Sequence, residues 1–252
     1  MCTSVILRRP NHGWPFVLAS LRDEVMERPW LPPRRHWRDR SEVTAGLDEL
    51  AGGSWMGLND QGVVACILNR TGHLGPAPGK RSRGELVLEA LDHADATDAA
   101  TALQNLDPAG YRPFNMIIAD NHDAFWLRHA GQGRDINMKL FEIPQGISML
   151  TAAELNDPSV PRIVQYLPRF EKSDPPDPGS GDWTGWQTLI SECSKPDDPE
   201  PNLAMTVITN SGYGTVSASL LALPAPAAGK PVWLFAPGRP IDTAFDPVPG
   251  LV

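Results

Sequence analysis

Short runs of β-branched and apolar residues, each closed by a turn signal, recur along this chain and restrict it to a fold built from hairpins. Residues 3–7, 14–19, 54–58, 63–69, 114–119, 123–129, 138–143, 147–151, 205–209, 215–221 and 231–235 read as strands. Between several of them lie Pro10-Asn11-His12-Gly13, Asn59-Asp60-Gln61-Gly62, Asn121-His122 and Pro144-Gln145-Gly146, all residues that favour tight turns. Strands joined by such short turns pair antiparallel. The run 63–68 is apolar almost throughout, which predicts a strand covered on both faces. Helices are expected in three places. Ser82-Arg83-Gly84-Glu85 fits a capping box and leads into Leu86, Val87, Ala90, Leu91 and Ala94 at helical spacing; the others cover 158–170 and 183–193, the latter with Asp182 as N-cap. Residues 28–48, 71–81, 171–182 and 194–202 read as loops. Strands toward both ends with helices between them predict an α+β fold, a four-layer α/β/β/α sandwich of two mainly antiparallel sheets. At 252 residues the chain is expected to form one domain spanning 1–252.

The chemistry that stands out is at the start. Cys2 follows Met1, and its small side chain allows Met1 to be removed, which would put a thiol and a free α-amine on one residue. An α-amine titrates near pH ~7.7–8.0, so part of it is unprotonated near neutrality and can accept the proton of its own thiol. The thiolate is the nucleophile. Because a strand begins at once after Cys2, the terminus is held. A second strand after a short turn brings the chain back, so Arg22 and Asp23, just past it, are placed beside Cys2. There a cation lowers the thiol pKa and a carboxylate orients the α-ammonium. Arg22 itself is expected to be oriented by a carboxylate, Asp23 being the nearest in sequence. Spacing alone fits a surface Arg-Asp pair equally well.

Leu18-Ala19-Ser20-Leu21-Arg22-Asp23-Glu24-Val25-Met26-Glu27-Arg28-Pro29 resembles the signature of the NRDE family, which includes the transport and Golgi organisation protein 2 group. The resemblance continues through Gly52-Gly53-Ser54-Trp55-Met56-Gly57, through 62–70 and 82–87, and through Phe114-Asn115-Met116-Ile117-Ile118-Ala119-Asp120 and Tyr213-Gly214-Thr215. It is specific in the N-terminal third and looser after about residue 150. The family is similar to the N-terminal-nucleophile hydrolases, particularly their choloylglycine and penicillin V acylase branch. That implies the four-layer sandwich with the N-terminal residue at the mouth of the sheets. It also implies a strand Asn lining the reaction centre, carried here to Asn69 as an oxyanion-hole candidate; an ordinary strand-end Asn fits as well. The chain departs from the family at Leu21, in place of the Asn of the Asn-Arg-Asp-Glu signature, at Ala152, in place of an Asn, and at Val216, in place of an Arg. Each change replaces a polar group by an apolar one.

Charge and composition exclude several classes. With 22 basic and 30 acidic residues the net charge is −8, which disfavours nucleic acid as a partner. A basic cluster, Arg34, Arg35, Arg38 and Arg40 with His36 and Trp37, reads as a solvated loop in that acidic whole. No run of ~18 apolar residues occurs, so no integral membrane segment is expected. Three Cys without pairing pattern suit a reduced, cytoplasmic protein. No metal-ligand spacing and no cofactor motif appears. Trp14, Trp30 and Trp37 are expected near the cleft, where they would receive an apolar ligand. Two functions remain. One is a hydrolase of non-peptide amide C–N bonds in small molecules, with Cys2 attacking, its α-amine shuttling the proton, Arg22 and Asp23 positioning, and Asn69 holding the oxyanion. The other, implied by the resemblance, is a non-catalytic carrier of haem or another apolar ligand in trafficking, which the three apolar replacements favour.

Overall fold

The computed structural model describes residues 2–73, 75–131, 137–226 and 228–251. The chain runs β1 (Thr3–Arg8), β2 (Phe16–Val25), β3 (Trp30–Arg34), β4 (Val43–Asp48), β5 (Met56–Asn59), β6 (Val64–Asn69), α1 (Gly84–Leu91), α2 (Ala96–Gln104), β7 (Phe114–Ala119), β8 (Ala124–His129), β9 (Met138–Glu142), β10 (Gly146–Leu150), α3 (Pro161–Lys172), α4 (Thr184–Ile190), β11 (Tyr213–Leu223), β12 (Val232–Ala236) and β13 (Asp246–Pro247). It divides into two compact units, one of Met1–Arg28 and Pro144–Val248, the other of Pro29–Ile143 and Pro249–Val252. Each unit carries one sheet, ordered β10-β1-β2-β11-β12-β13 in the first and β3 through β9 consecutively in the second. Neighbouring strands in both pair antiparallel, so the α+β class with two antiparallel sheets is as expected.

In the first unit, β1 and β2 form the hairpin that the turn residues predict. Asn11 sits in the left-handed region at φ 68°, and Arg9 N–H closes the loop on Pro15 O at 2.8 Å. Alternation then sorts the strands. Val5, Leu7, Val17, Ala19, Leu21, Ala218 and Leu220 share a core with Ile163, Tyr166 and Phe170 of α3 and with Trp186 of α4. Buried residues at 162, 163, 166 and 170 are the 3.6-residue stripe that makes α3 a helix on this sheet. Phe170 and Trp186 meet edge to face, ring centres 5.5 Å apart. α4 is shorter than predicted: Asp182 accepts from Thr184 N–H at 2.9 Å, but Trp183 occupies the cap position and the helix ends at Ile190. Residues 205–209 do not form a full strand; Thr206 makes an isolated bridge to Cys193.

The second unit holds elements that the sequence conceals. Residues 28–48, read as a loop, contain β3 and β4. Pro32 and Pro33 masked β3; they are tolerated because β3 lies at the edge of the described sheet, where a missing N–H costs no ladder bond. Arg35 pairs with Asp60 at 2.6 Å and Arg40 with Asp92 at 2.9 Å, so these two members of the basic cluster are held by carboxylates. α2 was hidden by its composition: its buried stripe is Ala96, Ala99, Ala100 and Leu103, mostly too small to mark an apolar face. The expected capping box does not form. Ser82 Oγ accepts from Gly84 N–H at 3.2 Å, and Glu85 turns back to Arg81 at 2.8 Å. α1 is docked instead through glycine: a Cβ on Gly53 would stand 2.5 Å from the main-chain carbon of Gly84, and Ser54 N–H donates to Gly84 O at 3.1 Å. The tryptophans serve packing. Trp14 lies against the first core, Trp37 against the second, and Trp30 meets Trp55 edge to face at 5.7 Å. Among the described residues no helix is long and apolar enough to cross a membrane.

Candidate active site

The register of β1 and β2 builds the site. Thr3 stands opposite Leu21, which carries Cys2 to the level of the next residues of β2. Cys2 Sγ accepts from the Asp23 N–H at 3.4 Å and lies 3.5 Å from the Asp23 carbonyl oxygen, to which its own S–H donates. Cys2 is thus fixed against main chain, not frayed. Arg22 and Asp23 are inside β2, not beyond it, because β11 backs the strand to its end: Thr215 pairs with Asp23 and Tyr213 with Val25. Thr215 is 192 residues from Asp23, so local pattern ends the strand too early.

Alternation sends the two side chains to opposite faces. Asp23 follows Leu21 onto the helix-bearing face. Arg22 follows Ser20 onto the other, where Glu24, two residues on, brings Oε2 to 3.9 Å of Arg22 Nη2. The nearest carboxylate in sequence is therefore not the one that the strand places on Arg22's own face.

Asp23 is held by residues that sequence reasoning missed. Thr215 Oγ1 donates to Asp23 Oδ1 at 2.6 Å and accepts from Val207 N–H at 2.8 Å. Tyr213 O–H donates to the Asp23 carbonyl at 3.2 Å. Arg162, on the first turn of α3, brings Nη1 to 3.9 Å of Asp23 Oδ2, donates Nη1 to Thr3 Oγ1 and donates Nε to Asn202 O at 2.9 Å. A β-bulge at Val216, between Thr215 and Ser217, turns the Thr215 hydroxyl onto Asp23. The Tyr213-Gly214-Thr215 block was a visible signal, and each of its residues has a part. Gly214 permits a close pass, since a Cβ there would meet Val207 O at 2.7 Å. Gly214→Ala is accordingly expected to cost about 1–3 kcal/mol through overpacking against main chain, read from urea unfolding. A neutral result would show that the Val207 segment gives way.

Burial pushes the Cys2 thiol up, the Asp23 carboxylate adds to the rise, and Arg22 acts against it. The activation expected from a nearby cation is outweighed in this environment. Burial pushes Arg162 down, opposed by Asp23. All three tyrosines of the chain are raised, first of all by burial: Tyr111 and Tyr166 to about 12, and Tyr213 further, with Cys2 and Asp23 contributing. An unfolded phenol titrates near ~10. Their stabilising contribution is full below that pH and is lost as pH rises toward about 12. Phenolate absorbance is therefore expected to appear together with cooperative alkaline unfolding between ~10 and ~12. A folded protein in which one tyrosine titrates reversibly near ~10 would contradict this.

The first unit brings together Cys2, Arg22 and Asp23. Asn69 closes β6 in the second unit, half-buried and opposite Phe114. The three apolar departures are all buried, Leu21, Ala152 and Val216 alike. Asn156 lies four residues beyond Ala152 at φ 54°, and its amide is engaged in structure: Oδ1 accepts from Met149 N–H at 2.7 Å and Nδ2 donates to Ser148 Oγ at 3.3 Å. The expected loss of Met1 concerns a residue outside those described. Among the described residues no group of three or more His, Cys, Asp or Glu side chains is placed to hold a metal ion.

Solved structures of low sequence identity share this architecture. The Caenorhabditis elegans ortholog of N-acylethanolamine-hydrolyzing acid amidase superposes with a TM-score of 0.60 at 13% identity, over 90% of this chain and 95% of that one. The C2A mutant of conjugated bile acid hydrolase from Clostridium perfringens gives 0.54 at 13%, over 99% and 97%. Penicillin V acylase from Agrobacterium tumefaciens gives 0.51 at 11%, over 94% and 83%. The fold is that of the N-terminal-nucleophile hydrolases. No curated protein matches the chain in sequence. The family model of Transport and Golgi organisation 2 matches residues 1–178, and the chain belongs to that family, the NRDE family.

Proposed function

We propose that this protein is an N-terminal-cysteine amidohydrolase acting on non-peptide C–N bonds of small molecules. The observation that carries the reading is the seating of Cys2 Sγ against the Asp23 main chain, with the Asp23 carboxylate secured by Thr215. Removal of Met1 would free the α-amine of Cys2. The amine takes the thiol proton as Sγ attacks the amide carbon, forming a C–S bond and an oxyanion. Its ammonium then protonates the leaving nitrogen, the C–N bond breaks, and the amine product departs. Water, deprotonated by the same α-amine, hydrolyses the thioester to the acid and returns the thiol. Because burial raises the thiol, the proton has to pass to the α-amine as Sγ attacks. Asp23 orients the ammonium, Arg22 positions substrate, and main-chain N–H groups receive the oxyanion.

Intact mass of the native protein, followed by assay against N-acyl amides that release a chromophoric amine, tests the reading. Met1 retained on most molecules, or no turnover by the processed protein, would overturn it.

The buried apolar residues at Leu21, Ala152 and Val216 favour a second reading: a carrier of haem or another apolar ligand on the same scaffold. As cargo, haem is expected to give a saturable Soret shift on titration, unaltered when the Cys2 amine is blocked. Absence of a saturable shift removes the haem form of this reading.

A further inference from the structure

We propose that Arg162 is a positioning residue for Cys2: its guanidinium sets the charge balance around the thiol by opposing the Asp23 carboxylate. The inference rests on the reading of Cys2 as the nucleophile.

Arg162 is placed against two local preferences. It is only 3% exposed, and a buried cation is costly unless it is compensated. It also occupies the first turn of α3, the positive end of the helix dipole, where a carboxylate would be favoured. Residues that break local rules in this way concentrate where function requires them. Three of its contacts show what Arg162 does instead. Nε is anchored on Asn202 O, Nη1 is anchored on Thr3 Oγ1, and the same Nη1 stands 3.9 Å from Asp23 Oδ2. Thr3 adjoins Cys2 in the chain, and the Asp23 main chain holds Cys2 Sγ. Arg162 therefore grips both segments that carry the thiol.

Charged and titratable groups from three elements act at Cys2 among the described residues. Arg22 and Asp23 come from β2, Tyr213 from β11 and Arg162 from α3, with Glu24 beside Arg22. Asp23 opposes ionisation of the thiol, and Arg162 attracts the thiolate while neutralising Asp23. Without Arg162 the thiol faces a carboxylate that has lost this counter-charge.

The test is the pH profile of Cys2 alkylation by iodoacetamide in the full-length, Met1-processed protein, read by peptide mass. This measures the thiol whether or not any amide is turned over, so failure of the hydrolase reading stays distinguishable. Arg162→Gln is expected to move the profile to higher pH and to slow alkylation near neutrality about tenfold, equivalent to one pKa unit. Arg162→Lys, which keeps the charge, is expected to recover most of that rate. Asp23→Asn is expected to move the profile the opposite way. A purely structural Arg162 would lower the melting temperature and leave the profile in place, and a folded Arg162→Gln with an unchanged profile overturns the proposal. Should Arg162→Gln fail to fold, the double variant Arg162→Gln/Asp23→Asn, which removes both charges, is compared with Asp23→Asn alone. A higher thiol pKa in the double variant supports the proposal and identical profiles overturn it.

Discussion

Under the proposed mechanism, Cys2→Ala is expected to lower amide hydrolysis by a factor of roughly 10⁴–10⁶, the loss seen when a nucleophile that acts as one unit with its base is deleted. The fold is expected to survive. Cys2 precedes β1, it is half-buried, and the ladder from Thr3 to Arg8 does not use its side chain. Cys2→Ser keeps a nucleophilic atom in place but offers a far less acidic hydroxyl, so it is expected to retain a small residual rate. Blocking the α-amine by retention of Met1 should abolish turnover as fully as Cys2→Ala, because the base is then one residue away. Turnover by a Met1-retaining form would separate catalysis from the terminal amine and end the mechanism as written. Progress curves on a chromogenic N-acyl amide, with circular dichroism as the folding control, measure all three variants.

The second large effect concerns stability. Asp23 and Arg162 are each 3% exposed, and each is tied to neutral partners, Thr215 on one side and Thr3 and Asn202 on the other. Removing one member leaves a buried charge uncompensated, which costs about 3–5 kcal/mol, whereas replacing both with apolar residues of similar volume is often close to neutral. Arg162→Met alone is therefore expected to lower the urea midpoint strongly, and Arg162→Met with Asp23→Leu to recover most of it. A single variant that loses less than about 1 kcal/mol would place the pair in the class of exposed ion pairs, which contribute little.

Under the proposed mechanism, catalysis and stability make different demands on Asp23. A fully apolar replacement of the pair would be the more economical core, yet the chain retains two charges and a threonine hydroxyl there. Retention of an ion pair at the residue whose main chain holds the only half-buried thiol among three described cysteines accords with a role at Cys2; Cys66 is buried in β6 and Cys193 is exposed.

Residue order alone determined the hairpins and the antiparallel class, because side-chain alternation and turn chemistry act over a few residues. It determined that a strand begins directly after Cys2, and that the returning strand carries Arg22 and Asp23 back to it, since a short turn with Asn11 in the left-handed region leaves little freedom. The glycines at 53, 84 and 214 were visible as blocks, though not their purpose, which is close approach of main chain to main chain or to a carbonyl. Tertiary structure decided the rest. The length of β2, and hence the strand setting of Arg22 and Asp23, depends on β11 far along the chain. The faces of those two side chains follow from that pairing, which gave Arg22 to Glu24 and Asp23 to Arg162 and Thr215. β3 was concealed by prolines that only an edge position tolerates, and α2 by a stripe of alanines. Arg162 carried no local signal, because an arginine early in an amphipathic helix reads as solvated until the fold closes over it. A buried charge takes its meaning from the partner that burial supplies, and that partner lies at a distance in sequence that no periodicity spans.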